Sequence, residues 1–85
     1  MERRIALRLI HATTEQDLET VDVFLDPDHP ETFPVLRRHF MAMAARAADE
    51  RIEYRLEDMP WLHDYTLLVC EGHNHADVLM RYREG

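Results

Sequence analysis

Near the start of the chain, Ile5, Leu7 and Leu9 alternate with Arg4, Ala6 and Arg8. That period of two predicts a strand over Arg3 to Ile10, with one apolar and one largely polar face. His11 to Thr20 is polar. It reads as a hairpin loop or a short helix, since Thr13 and Gln16 have the spacing of a capping box. Val21, Val23 and Leu25 then alternate with Asp22 and Phe24, which predicts a second strand. Asp26-Pro27-Asp28-His29-Pro30 ends it, because proline donates no ladder hydrogen bond and holds its own φ.

The strongest helix signal follows. Thr32 has N-cap chemistry, Pro34 suits a first turn, and Val35 to Glu50 contains neither Gly nor Pro. Ala, Met, Arg and Leu, all good helix formers, dominate it. On a helical wheel Phe33, Leu36, Phe40, Met43, Ala44 and Ala47 form one apolar face, widened by Met41, Ala45 and Ala48. Arg38, His39, Arg46, Asp49 and Glu50 lie opposite. This arc exceeds the ~100° stripe that covers one sheet. The helix is therefore either sunk deep in its own core, the preferred reading, or also in contact with a second subunit.

Arg51 to Glu57 alternates and predicts a third strand, followed by a loop from Asp58 to Asp64. Tyr65 to Glu71 is almost continuously apolar, as a central strand buried on both faces would be. Gly72-His73-Asn74-His75 reads as a turn. Ala76 to Arg83 reads as a last strand, with Val78, Met80 and Tyr82 on one face. The order β-β-α-β-β-β with hairpin-length connections implies an α+β fold. It is expected to be a small antiparallel sheet of four to five strands packed on one long α-helix, in a single domain over residues 1–85.

Composition narrows the class. At 85 residues with 46% apolar side chains, the chain supports one small core. Cys70 is the lone cysteine, so no intrachain disulfide forms, which fits a reducing compartment. No apolar run approaches ~18 residues and no signal-peptide pattern is seen, so the expectation is a soluble, cytoplasmic protein with no membrane partner. All ten basic residues are Arg. With the abundant Ala, this suggests a GC-rich source such as a bacterium or phage.

Charge changes the picture more. Between Leu9 and Leu36 stand Glu15, Asp17, Glu19, Asp22, Asp26, Asp28 and Glu31, without one basic residue. The remaining acids and arginines cancel, so the whole net charge of −7 sits in this contiguous third of the sequence. Such segregation steers a basic partner and repels an acidic one. It argues against direct nucleic-acid binding, which needs cations to replace counterions. If extended, Glu15, Asp17 and Glu19 would share one face at about 6.8 Å intervals, a spacing that mimics phosphates along a strand. The alternative is a solvated, solubilising face. Trp61, in Met59-Pro60-Trp61-Leu62, is either a binding anchor or a lid over the small core.

Catalytic chemistry is poorly supplied. There is no serine, and the two glycines, Gly72 and Gly85, form no phosphate loop. Cys70 lies between Val69 and Glu71 with no cation beside it in sequence to activate its thiol. Cys70, His73, His75 and Asp77 are metal-ligand types close together on a turn; alternation points Cys70 into the core, away from the other three, so no bound metal is expected. His73-Asn74-His75-Ala76-Asp77 resembles the opening of the HxHxDH motif of metallo-β-lactamase-like hydrolases. Val78 stands where the last His belongs, which excludes it.

The expectation is a non-catalytic, small acidic binding protein without a cofactor. Its partner-binding residues would be the seven acids and Trp61. The partner would be a protein with a basic, nucleic-acid-binding surface, as for a phage-encoded inhibitor of anti-CRISPR type. Alternatives are a homo-oligomeric scaffold or antitoxin-like module, possible as a homodimer, and a metal-binding protein using the Cys/His cluster.

Overall fold

A computed structural model describes residues 1–48, 60–71 and 77–84. Its elements are β1 (Arg3–His11), β2 (Asp17–Leu25), α1 (Thr32–Ala48), a 3-10 helix (Pro60–Asp64), β3 (Tyr65–Glu71) and β4 (Val78–Tyr82). The strands form one antiparallel sheet in the order β2-β1-β3-β4. One helix packs on it, so the α+β class holds. The strand expected over residues 51–57 and the turn over residues 72–75 lie outside the described residues.

The two most apolar strands, β1 and β3, take the centre because both of their faces are buried there. Ile5, Leu7 and Leu9 of β1 and Leu67 and Val69 of β3 meet Leu36, Phe40, Met43 and Ala44 of α1 in the main core. Ala6, Ile10, Leu68 and Cys70, on the alternate positions, form a second buried cluster on the far face. At one side of the main core the rings of Phe40 and Tyr82 meet edge to face, with centroids 5.6 Å apart.

Two bulges change which side chains face the helix. In β2, Leu9 pairs with Glu19 but Ile10 pairs with Asp17, so Leu18 is an extra residue. In β4, Val69 pairs with Met80 and Cys70 with Val78, so Leu79 is extra. Met80 and Tyr82 pack on the main core, whereas Val78 pairs on the far face. The expectation that Val78 shares the face of Met80 and Tyr82 is therefore corrected.

The polar stretch after β1 is a hairpin turn, not a helix. His11 closes it by donating its N–H to the Gln16 carbonyl at 3.0 Å and accepting from the Glu15 N–H at 2.8 Å. His11 Nδ1 accepts from the N–H of Thr13, and Thr14 Oγ1 accepts from that of Gln16. The Thr13–Gln16 capping box does not form. Glu15 takes φ 59°, a left-handed conformation that a residue with a Cβ adopts at a cost.

α1 begins at Thr32, but Thr32 is not a side-chain cap. Its hydroxyl donates to the Asp26 carbonyl and ties the preceding loop down. The first helical N–H groups are met by the loop itself: Thr32 donates to the His29 carbonyl and Phe33 to that of Pro30. Pro34 has no N–H to satisfy. Phe33, expected on the apolar face, is 51% exposed, whereas Met41 packs on the main core and Ala48 is buried. The width of the apolar arc is thus largely absorbed within the subunit.

Candidate functional site

The bulge at Leu18 divides the acidic segment. Asp17 follows Ile10 onto the far face, and Glu19 follows Leu9 onto the helix face. Arg8, two positions before Ile10, meets Asp17 there with Nε and Nη2 each donating to one carboxylate oxygen. Glu19 meets Arg46 of α1, with Nη2 2.6 Å from Oε1. Glu15 sits in the hairpin turn, 3.6 Å from Arg81. No shared row of Glu15, Asp17 and Glu19 exists, which corrects the phosphate-like spacing expected of an extended segment. A bulge inserts one residue and so reverses the alternation of everything beyond it.

Asp26 is also engaged. Its Oδ2 accepts from the Met1 ammonium at 2.6 Å and its Oδ1 from the Asp28 N–H at 3.0 Å. The ammonium, then that N–H, hold its carboxyl below the usual range. Asp22, paired in register with Ala6 on the far face, is not free either. Four of the seven acids thus stand in ion pairs: Glu15, Asp17, Glu19 and Asp26. Four of the seven concentrated charges are therefore offset locally, by Arg8, Arg46, Arg81 and the N-terminal ammonium.

Asp28 and Glu31 remain. Both are exposed on the β2–α1 loop, and neither has an ion-pair partner among the described residues. Beside them a groove of about 440 Å³ is lined by Glu2, Phe24, Leu25, Asp26, Glu31 and Val35, among others. Phe24 is 68% exposed. It pairs in register with Arg4, on the face away from the helix. An exposed aromatic ring, a groove of mixed apolar and acidic lining, and Glu31 therefore share one corner of the molecule, with Asp28 on the same loop. The sequence carried a signal for Phe24: an aromatic occupying the polar phase of an amphipathic strand, beside Asp22.

The remaining candidates are distributed differently. Trp61 lies in the 3-10 helix, and its side chain is outside the described structure. The neighbouring Leu62 belongs to the main core. Cys70 is fully buried on the far face, and burial pushes its thiol above the usual range. Asp77 is exposed, and its carbonyl accepts from the Glu71 N–H at 2.9 Å. His73 and His75 lie outside the described residues. Among the described residues no three Cys, His, Asp or Glu side chains converge on a metal-sized point. No described helix is long and apolar enough to cross a membrane.

The corner offers chemistry of recognition. A carboxylate accepts two parallel hydrogen bonds from a guanidinium, and an exposed phenyl ring stacks on the same group. In comparisons with known proteins the chain matches no family, no curated protein and no solved structure.

Proposed function

We propose that this is a non-catalytic, cytoplasmic binding protein that docks on a basic surface of a partner protein through the corner formed by Phe24, Asp28 and Glu31. One observation carries the reading. Asp28 and Glu31, which have no ion-pair partner among the described residues, share the β2–α1 loop, and Glu31 lines a groove beside the exposed Phe24 ring. The net charge of −7 supplies long-range attraction and the corner supplies the short-range contact. A basic surface of this kind commonly holds nucleic acid, so the outcome of docking is inhibition by occupation, the manner of phage-encoded anti-CRISPR proteins.

The test is affinity capture of a basic protein from a GC-rich bacterial lysate at low and high salt. Wild type is compared with Asp28→Arg/Glu31→Arg and with Glu15→Arg, each verified as folded by circular dichroism. Capture that fades in high salt, is lost in the double variant, persists in Glu15→Arg and is displaced by nucleic acid supports the proposal. Capture indifferent to the double variant overturns it.

A further inference from the structure

α1 carries a second groove on its opposite flank. It holds about 460 Å³ and is walled by Phe33, Pro34, Met41 and Tyr82, with Arg37 and Arg38 at its rim. Arg37 is held by Glu84 at 2.6 Å. Arg38 is exposed and has no ion-pair partner among the described residues. Phe33, half exposed, projects beside it although the helical pattern assigns it to the apolar face. An aromatic in this position gains most from a partner that covers it.

The two grooves lie near the same end of α1, one toward β2 with Glu31, the other toward β4 with Arg38. One flank is acidic and the other basic. We infer that two copies of the chain associate through this end of α1, each placing its acidic loop against the Phe33–Arg38 groove of the other. A two-fold axis running along the helices makes both contacts at once, because it lays the left flank of one copy on the right flank of the other. An axis across the helices would set acid against acid. The second copy is the favoured occupant because both complementary patches already exist on one chain. The expected anchor is Phe33 and not Met41, which is committed to the core.

This inference does not rest on the proposed docking to a basic partner, but it shares Glu31 with that surface, so the two associations compete. The experiment is sedimentation and light scattering over a concentration series. The expected mass rises from 10.1 kDa toward twice that value. Phe33→Ala, Arg38→Glu and Glu31→Arg should each weaken association roughly tenfold or more, as loss of a central contact does. Glu31→Arg/Arg38→Glu, which exchanges the charges, should restore it to within about threefold of wild type. Exposed Phe33 and Arg38 leave folding intact, which circular dichroism checks. The idea is overturned by a protein that stays monomeric up to ~1 mM, including one whose groove takes an acidic peptide instead. A dimer indifferent to all three single changes, or a folded charge-exchanged variant that stays apart, also overturns it. Arg38→Glu separates the two readings: it should weaken self-association roughly tenfold or more and, by freeing Glu31, leave capture of a basic partner intact or stronger.

Discussion

Arg8 and Asp17 face each other across the sheet surface turned away from the helix, the guanidinium spanning both carboxylate oxygens. Bidentate geometry and a partly buried Arg8 place this pair at the upper end of what surface ion pairs contribute. A double-mutant cycle with Arg8→Ala and Asp17→Ala should return a coupling of about 0.5–1 kcal/mol at low salt. It should shrink in 1 M salt. A coupling near zero at low salt would show that the Leu18 bulge does not hold the two side chains together in solution.

The left-handed Glu15 makes a prediction of opposite sign. Glycine adopts φ 59° without steric cost, so Glu15→Gly should stabilise the fold by about 0.5–1 kcal/mol. The long 3.6 Å contact with Arg81 that is lost contributes little. In a domain of this size the melting temperature should rise by a few degrees. Glu15→Val should lower it, since a β-branched residue fits that conformation worst.

Two groups shape stability at lower pH. Burial, then the positive fields of Arg38 and Arg46, keep the His39 imidazole below its usual range. The unfolded chain therefore takes up this proton first, and stability falls as pH drops below about 6.5 toward the folded value. Asp26 is depressed too, so its contribution is present above about pH 3.9 and is lost as pH falls through its lower folded value. Urea midpoints at pH 7.5 and 5.5 should differ less in His39→Gln than in wild type. Asp26→Asn should flatten the acid limb further down. Parallel curves for wild type and variants would count against both assignments.

Cys70 should be silent toward thiol reagents. It is fully buried beside Ala6 and Leu68, and burial disfavours the thiolate. Labelling by a disulfide reagent is expected only at the rate of opening of the sheet, and it should accelerate with urea in step with unfolding. Rapid stoichiometric labelling of the native protein would mean that the far face opens at Cys70.

Phe40 anchors the helix to the sheet and is fully buried against Tyr82. Phe40→Ala should cost about 3–5 kcal/mol. Against the few kcal/mol of net stability available to so small a domain, that loss should leave much of the protein unfolded at 37 °C. Phe24→Ala, by contrast, should barely change stability, because its ring is largely in water. The contrast, read from paired urea melts, separates core from surface aromatics that look alike in the sequence.

What the sequence determined by itself was local. The alternation of Ile5, Leu7 and Leu9, the uninterrupted apolar run of β3 and the Gly- and Pro-free stretch of α1 specified elements, because periodicity and propensity act between near neighbours. Those elements, with hairpin-length connections, were enough for the α+β class. The tertiary structure decided the faces and the charges. One extra residue at Leu18 turned Asp17 away from Glu19, and the pattern of alternation gives no warning of where it slips. Phe33 follows the helical period of the core yet lies beyond its edge, since burial depends on where the sheet ends. The acidic third looked uncompensated because its cations are remote in sequence: Arg46 is 27 residues from Glu19. Coulomb attraction depends on distance through space, so folding paired Glu15, Asp17, Glu19 and Asp26 with cations and left Asp28 and Glu31 with no ion-pair partner among the described residues.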